Sequence, residues 1–390
     1  MRRGAREDEG RTMFDLEKRH LKSIDWPIVM ILFGLAVYSY IGIAGSAAGV
    51  DKANQQMLWY AIGFMLLIAT LLFDYRLYYS MSYVLYAIGI ILLIGVYQTE
   101  PINNATSWYR LPGGVLFQPS EPMKLFTILT VARYLSNKAD DPDRFRYFYQ
   151  LIPVGLIVAV PMLMILVQPD LGSALVYCSI LATMLIVGGI RLKHVLYLGT
   201  LVGSFFGVMT LLYFYKQSIF FKIIKPYQWD RIKFWLNPDL EAMGRGFQLK
   251  QSLIAIGSGQ LFGKGIDTPT QASFGWVPVG ESDFIFTVIA EKLGFVGAGV
   301  LMILFFFLIY RMIRIAMEAK DPFGSYVVAG VVGMLTFQVF ENIGMTIQLM
   351  PITGLPLPFI SYGGSSLLTN FLIIGVVLNI GMRKDTLRFD

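Results

Sequence analysis

Long apolar segments recur along almost the whole chain, and they restrict it to one class of fold. Crossing a lipid bilayer takes about 20 apolar residues in a helix. Charged residues make up only 15% of the sequence, whereas soluble domains average about 25%. We therefore predict an all-α membrane protein that does not bind nucleic acid. Nine segments are long and apolar enough to span a membrane, namely 26–44, 57–73, 77–97, 149–168, 171–190, 193–215, 284–310, 324–349 and 362–382.

A tenth segment, 121–136, is less apolar because it contains charged residues, including Glu121 and Lys124. Ser120 can cap a helix that begins there, and Pro122 suits its first turn. We count this segment as a spanning helix, because the distribution of basic residues between the two sides is consistent only with ten spans.

The lysines and arginines predict how the chain is oriented, since cytoplasmic loops of membrane proteins carry an excess of them. With ten spans and a cytoplasmic N-terminus, 19 of the 32 lysines and arginines lie on the cytoplasmic side. The short outer loops hold only Lys52 and Arg110. The expected organisation is a cytoplasmic segment 1–25, a ten-helix domain 26–382 and a cytoplasmic tail 383–390.

Three segments face the outer compartment in this arrangement: 98–120, a large loop at about 216–282 between helices 7 and 8, and 350–361. The last of these contains three prolines, which disfavour a helix. Non-helical backbone at membrane depth is tolerated only where protein buries it or where it lines a cavity. We predict that 350–361 lines a cavity, and an ordinary surface turn is the alternative.

The large loop is basic and partly helical by pattern. Between Lys216 and Lys264 it sets eight basic residues against three acidic ones. That excess predicts an anionic partner, either a phosphate or pyrophosphate group or the anionic lipids of the membrane. Segments 228–236 and 246–256 have the spacing of short amphipathic helices lying on the membrane surface.

Asp283 is the candidate catalytic residue. It stands where the eighth span begins, and a helix N-terminus favours the charged form of a carboxylate. A carboxylate at the membrane boundary can act as a general base on a hydroxyl or bind a hard cation such as Mg²⁺. An ordinary helix-capping acid is the alternative. Arg245, Lys250 and Lys264 are candidates for holding a pyrophosphate group.

Other charged side chains lie in or beside the apolar segments, where an ion costs about 2.5–3.5 kcal/mol on insertion scales. Glu121 and Lys124 are three residues apart and can pair. Asp170 can cap the helix that follows it. Glu291 and Lys292 either line a polar interior face or only satisfy each other.

Several motifs occur in an order that resembles one known family. They are FQPSEPMK at 117–124, QPDLGSAL at 168–175, GRGFQLKQSLIAIGSG at 244–259, GKG at 263–265, ESDFIF at 281–286 and ENIGMTIQLMPITGLPLPFISYGGSS at 341–366. With these motifs the chain resembles the SEDS family (shape, elongation, division and sporulation), over about 24–380. The forms MPITGLPLPF and QPDLGSALV resemble the RodA type more than the division type, FtsW.

The resemblance implies a peptidoglycan glycosyltransferase of the bacterial cytoplasmic membrane. Such an enzyme polymerises lipid II on the outer face during elongation and shape maintenance, releases undecaprenyl pyrophosphate, and works with a class B penicillin-binding protein. It uses no organic cofactor, and a divalent cation (Mg²⁺ or Mn²⁺) could bind at Asp283, where the family's essential aspartate falls. Its supporting polar residues and its signature fall on Glu121, Lys124, Asp170 and, within 351–364, Ser361 and Tyr362. These segments are expected to converge on one outer cavity.

The sequence departs from the family pattern at three places. Many members have a Phe-Leu-Pro-Glu run and a histidine shortly before the aspartate, whereas 276–279 reads WVPV and no histidine is near. Glu281 becomes a candidate second carboxylate. Gln348 stands where the pattern leads us to expect a small glycine.

Two other classes of function are compatible with such a chain. A lipid II flippase would use intramembrane charges such as Glu291 and Glu341 as its pathway, and it would transport lipid II without making polymer. A scaffold that only positions cell-wall enzymes would show neither activity, and Asp283 would be dispensable in it.

Overall fold

The computed structural model of the protein describes residues 23–100, 106–240, 244–266 and 268–383. Within them a helix lies at each of the ten predicted spans, and three further helices lie in the large loop. In chain order they are α1 (Trp26–Gly45), α2 (Gly49–Leu72), α3 (Tyr75–Gly95), α4 (Ser120–Ser136), α5 (Ile152–Val167), α6 (Leu171–Val187), α7 (Leu192–Tyr215), α8 (Gln217–Ile223), α9 (Pro226–Leu236), α10 (Arg245–Ser258), α11 (Ile285–Glu318), α12 (Pro322–Thr346) and α13 (Gly364–Met382).

The apolar helices make this a multi-pass membrane protein. In the described part of the chain, eight helical stretches are long and apolar enough to cross a membrane: α1, α2, α3, α5 taken together with the short 3-10 helix Phe148–Leu151 before it, α7, α11, α12 and α13. Helices α4 and α6 each have 17 residues and fall short of that length. The predicted count of ten spans therefore stays a prediction.

Helix α2 begins at Gly49, well before the predicted start of the second span at residue 57. The residues of its first turns are polar, and apolar patterning therefore missed them. Gln56 is fully buried, and its Nε2 donates to the Ser361 carbonyl at 3.0 Å. Contacts with the distant C-terminal part of the chain thus satisfy the polar start of this helix.

Helix α11 extends beyond its predicted end and is interrupted at Gly294, where φ is 68° and ψ is −167°. The amide nitrogens of Phe295 and Val296 donate instead to the carbonyls of Gln260 and Leu261, at 2.8 and 3.0 Å. A Cβ at Gly294 would lie 2.3 Å from the Gly263 nitrogen. The turn that follows α10 is therefore joined tightly to the break in α11.

The bundle is packed unevenly. Helix α12 packs against α11, α6 and α4, and α13 packs against α2. In the most apolar window of α13, 83% of the residues are buried, whereas the figure for α7 is 6%. Helices α12 and α13 thus form the interior of the bundle, and α7 presents nearly all of its surface outward.

Two segments beside Asp283 contain no α-helix in the part that the structure describes. Residues 351–357 form neither a helix nor a strand, as their prolines predict. In the 98–120 segment, strands β1 (Tyr109–Arg110) and β2 (Leu116–Phe117) form an antiparallel ribbon with Tyr109 opposite Phe117. The phenolic group of Tyr109 donates to the Leu92 carbonyl at 2.9 Å, which holds the ribbon over the end of α3.

Candidate functional site

A polar cavity of about 350 Å³ lies where the outer segments meet. Its wall combines the ribbon segment, the start of α4, the turn before α6, the residues before α11 and the non-helical segment before α13. The segments that carry the sequence motifs 117–124, 168–175, 281–286 and 351–364 therefore do converge. The lining residues are Ser107, Trp108, Gln118, Glu121, Gln168, Pro169, Asp170, Ser173, Ser282, Asp283, Thr353, Gly354, Pro356, Tyr362, Gly363, Ser365 and Ser366.

A larger cavity of about 1080 Å³ lies elsewhere, between the end of α7, α8 and α9. Its wall is mostly aromatic and aliphatic, and includes Phe205, Phe214, Phe220 and Trp229. Such an apolar wall is suited to binding hydrocarbon chains rather than to a reaction that needs charged side chains. We place the chemical site in the smaller cavity, because its wall holds three carboxylates: Glu121, Asp170 and Asp283.

Asp283 lies just before α11, but it does not cap that helix. The N-cap position belongs to Phe284, and the Asp283 carboxylate accepts a hydrogen bond from Ser282 Oγ at 3.1 Å. Its backbone carbonyl accepts from Asn342 Nδ2 at 2.8 Å. A Cβ placed on Gly354 would lie 3.2 Å from Asp283 Oδ2. The carboxylate therefore lies against the backbone of the 351–357 segment, inside the cavity.

The protein raises the pKa of the Asp283 carboxyl to about 6. Burial is the largest cause, and the charges of Asp170 and Glu281 add to it, while the Ser282 hydroxyl and Arg231 act in the opposite direction. The expectation that a helix N-terminus would dominate this carboxylate is wrong, because the helix begins beyond it and desolvation outweighs the favourable contacts. A pKa near 6 still leaves Asp283 mostly ionised at neutral pH, as a general base requires.

Glu121 and Lys124 form the expected ion pair, with Lys124 Nζ 2.8 Å from Glu121 Oε1. Their side chains are 4% and 2% exposed, respectively. The predicted capping role of Ser120 is wrong, because Ser120 is itself the first residue of α4 and no side chain caps that helix. The pair lies within the first turns of α4, and its Glu121 lines the cavity.

Asp170 has both of the roles considered for it. It caps α6 by accepting from the Ser173 amide at 2.9 Å and from Ser173 Oγ at 2.7 Å. The same carboxylate lines the cavity opposite the 351–357 segment. The capping hydrogen bonds fix the position of Asp170, and its negative charge raises the pKa of Asp283.

Glu281 does not serve as a second carboxylate of the cavity. Its Oε1 pairs with Lys52 Nζ at 2.9 Å, and Glu281 is absent from the cavity wall. Its carbonyl accepts from the Tyr362 amide at 2.9 Å, and Ser361 Oγ donates to the Ser282 carbonyl at 2.6 Å. Ser361 and Tyr362 thus tie the C-terminal signature to the residues around Asp283.

Two of the three predicted pyrophosphate-binding bases, Lys250 and Lys264, are not brought to this cavity. Lys250 pairs with Asp239 at 2.7 Å on the surface of the loop. Lys264 pairs with the fully buried Glu291 at 2.7 Å, because the turn after α10 is joined to the break in α11. Arg245 is the first residue of α10, and its side chain lies outside the described part of the chain.

Sequence patterns missed two residues that shape the site. Arg231, on α9, donates from Nη1 to the carbonyls of Ile352 and Thr353 at 3.1 and 2.8 Å. Asn342 donates from Nδ2 to the Asp283 and Leu355 carbonyls, both at 2.8 Å. A buried amide in an apolar helix was a signal for Asn342, whereas Arg231 was only one of eight bases in its loop.

Gln348 adopts a left-handed backbone with φ of 63°, the conformation for which glycine is usually chosen. Its Nε2 donates to the Trp235 carbonyl at 3.0 Å, and Trp235 Nε1 donates to the Gln348 carbonyl at 3.0 Å. The bond donated by the side-chain Nε2 is unavailable to glycine, and it accounts for a glutamine at this position.

The fold agrees with that of similar proteins of known structure. A chain of a peptidoglycan synthase complex that coordinates polymerization and crosslinking superposes with a TM-score of 0.74 at 26% identity, covering 93% of this chain and 99% of that one. The crystal structure of Thermus thermophilus rod shape determining protein RodA gives a TM-score of 0.65 at 26% identity, covering 92% and 96%.

Sequence relatives extend over nearly the same length. Stage V sporulation protein E of Bacillus subtilis is 37% identical, covering 84% of this chain and 86% of its own. Peptidoglycan glycosyltransferase MrdB of Escherichia coli K12 is 33% identical, covering 95% and 96%. The family model for FtsW, RodA and SpoVE, described as cell cycle protein, matches residues 22–386. The chain therefore belongs to the FtsW/RodA/SpoVE family, which is the SEDS family that its motifs resemble.

Proposed function

We propose that this protein is a peptidoglycan glycosyltransferase that polymerises lipid II into glycan strands and releases undecaprenyl pyrophosphate. The observation that carries the proposal is the position of Asp283. Its carboxylate lies in the wall of a polar cavity at one end of the bundle, against the 351–357 segment. Relatives such as the Escherichia coli protein are named for this activity.

The reaction requires a base and a place for a sugar. The 4-hydroxyl of the acceptor's terminal GlcNAc attacks the anomeric carbon of the donor's MurNAc, and the bond from that carbon to the pyrophosphate oxygen breaks. Asp283 accepts the hydroxyl proton, and the pyrophosphate leaves with the electron pair. Glu121, Lys124 and Asp170 hold the surrounding wall in shape rather than take part in bond making.

The oxygen ligands around Asp283 are of the kind that Mg²⁺ or Mn²⁺ prefers. The described residues contain no group of three His, Cys, Asp or Glu side chains that could hold a metal alone. A divalent cation would therefore be held by Asp283 together with pyrophosphate oxygens of the substrate. Bound in this way, it would neutralise charge on the leaving group.

The lipid part of the substrate needs an apolar surface that continues into the membrane. The larger cavity beside α7 has such a wall, and α7 exposes nearly all of its apolar surface. We assign the prenyl chains and neighbouring membrane lipids to this region. The polar headgroup then reaches the cavity of Asp283, on the same side of the bundle as the large loop.

We further propose that both termini lie in the cytoplasm and that the cavity opens on the outer side of the bacterial cytoplasmic membrane, as the basic residues predict. The similar chain in a synthase complex that coordinates polymerization and crosslinking supports a class B penicillin-binding protein as partner. We assign the protein to elongation and shape maintenance on its RodA-type motifs, and a division role is the alternative.

The surroundings of Glu291 and Lys292 disfavour a transport pathway through the bilayer. Glu291 accepts hydrogen bonds from Lys264 Nζ and from the amides of Gln271 and Ala272. Lys292 Nζ donates to the carbonyls of Ile266 and Thr268. Both charges are thus bound to the outer loop, whereas a flippase needs polar groups available along the path of its substrate.

The test is polymerisation of labelled lipid II by the purified protein with its partner transpeptidase, with Mg²⁺, with Mn²⁺ and with chelator. We expect polymer from the wild type and none from Asp283→Asn. Full polymerisation by a folded Asp283→Asn protein would refute the catalytic assignment. Movement of lipid II across liposomes without polymer would favour a flippase instead.

A further inference from the structure

None of the sequence motifs that resemble the family includes helix α9. The helix nevertheless contacts the 351–357 segment, which lines the cavity of Asp283. Arg231 Nη1 donates to two consecutive carbonyls, those of Ile352 at 3.1 Å and Thr353 at 2.8 Å. One guanidinium nitrogen thus fixes the direction of two peptide groups. The carbonyl of Thr353 belongs to the peptide that leads into Gly354.

A second contact joins the same helix to the same segment. Trp235 and Gln348 exchange two hydrogen bonds, each 3.0 Å long, between the side chain of one and the backbone carbonyl of the other. Gln348 holds a left-handed backbone to do this, at a cost of about 1–2 kcal/mol for a residue with a side chain. The two contacts attach α9 at both ends of the stretch 348–353.

The attached stretch leads directly to the catalytic carboxylate. Gly354 has φ of 79°, and a Cβ there would lie 3.2 Å from Asp283 Oδ2. From the other side, Asn342 Nδ2 holds the carbonyls of both Asp283 and Leu355 at 2.8 Å. The backbone against the carboxylate is therefore held between Asn342 of α12 and Arg231 of α9.

We propose that Arg231 is a positioning residue for the glycosyl transfer: it holds the Ile352 and Thr353 carbonyls so that the Gly354 backbone lies against the Asp283 carboxylate and fixes its position. This inference rests on the proposed function. Helix α9 of the large loop thereby has a role in the chemistry, although none of the sequence motifs includes it.

The test compares Arg231→Met and Arg231→Lys with the wild type in lipid II polymerisation. In Arg231→Met we expect kcat to fall roughly tenfold through misplacement of the carboxylate, with KM little changed. Arg231→Lys should restore part of the lost rate, because an ammonium group can still donate to the two carbonyls but does not reproduce the guanidinium geometry.

Lys222→Met is the matched control, because Lys222 lies exposed on the neighbouring helix α8 and its removal takes away one positive charge from the same loop. It should leave kcat and KM unchanged. Trp235→Phe removes the Nε1 donor only, and it should lower kcat less than Arg231→Met. Unfolding temperatures in detergent identify any variant that fails to fold, and Arg231→Lys is then the variant that tests the proposal.

Two failures can be told apart. If the wild type polymerises lipid II, Asp283→Asn does not, and the Arg231 variants match Lys222→Met in kcat and KM, then the role of Arg231 is refuted and the function stands. If the wild type makes no polymer, or Asp283→Asn makes as much as the wild type, the proposed function itself has failed.

Discussion

Asp283 lies just before α11, and Glu291 lies two helical turns further along the chain. The two carboxylates differ in how many hydrogen-bond partners surround them. Glu291 is fully buried, and its carboxylate accepts from Lys264 Nζ at 2.7 Å and from the amides of Gln271 and Ala272 at 3.1 Å. Asp283 receives a single side-chain hydrogen bond, from Ser282, in the part of the chain that the structure describes.

The difference separates a structural carboxylate from a reactive one. A buried ion whose partners fill its lone pairs fastens elements together, and removing one partner is costly. A carboxylate that is desolvated but has few partners keeps capacity for a proton or a cation, and such groups cluster at active sites. Glu291 therefore fixes the loop 264–272 to α11, and Asp283 is left available to substrate in the cavity.

The largest effect expected from this comparison is the loss of activity in Asp283→Asn. A general base contributes about 10²–10⁴-fold, and we expect the polymerisation rate to fall by at least about 100-fold. Because folding raises the pKa of Asp283 to about 6, its ionised form weakens the folded state at neutral pH. The unfolding temperature of Asp283→Asn should be unchanged or higher, and a marked decrease would contradict the assignment.

The next largest effect is on stability, in Glu291→Gln. This change leaves Lys264 without its counter-ion and weakens two amide hydrogen bonds. We expect a loss of about 3 kcal/mol, as for other broken buried pairs, seen as a lower unfolding temperature in detergent. The double variant Glu291→Gln with Lys264→Met should recover part of the loss. A stable but inactive Glu291→Gln protein would contradict the assignment of Glu291 as a structural carboxylate and Asp283 as the reactive one.

A smaller effect follows from pH. The carboxylate of Asp283 must be ionised to accept a proton, and its pKa is about 6. We expect kcat/KM to be level near neutral pH and to fall about tenfold for each pH unit below the midpoint. Polymerisation rates measured from neutral to acidic pH would show this limb. A limb that persists unchanged in an Asp283→Glu variant with residual activity would belong to another group.

The smallest effect is expected at the Lys52–Glu281 pair. Its side chains are 43% and 23% exposed, and exposed ion pairs contribute about 0–1 kcal/mol. Glu281→Gln should change polymerisation by no more than a few fold and should hardly alter the unfolding temperature. A loss of activity comparable to that of Asp283→Asn would restore Glu281 as a second catalytic carboxylate.

Much of the site could be predicted from the sequence because its motifs are local. The segments 117–124, 168–175 and 351–364 carry their own helix starts, caps and prolines. The ion pair of Glu121 with Lys124 and the cap formed by Asp170 depend on residues three apart. Short-range geometry of this kind follows from helix periodicity alone.

The predictions of substrate-binding bases that failed concern long-range partners. Lys250 and Lys264 look like free bases in the sequence, and each is bound to an acid that only the folded chain brings near. Lys52 and Gln56 looked like loop residues, yet they contact Glu281 and the 361–363 turn from the opposite end of the chain. No periodic pattern encodes such pairings.

The sequence by itself determined that the chain crosses a membrane, where its apolar helices lie and which acid stands at the boundary, because hydropathy and helix geometry act locally. The tertiary structure decided which surfaces are buried. Helices α7 and α13 have nearly equal hydropathy, 1.9 and 1.8, yet 6% and 83% of their apolar windows are buried. Lipid and protein interior are equally apolar, so hydropathy cannot distinguish them. Packing and the hydrogen bonds of residues such as Asn379, which donates to the carbonyls of Thr70 and Phe73, decide which helix is enclosed.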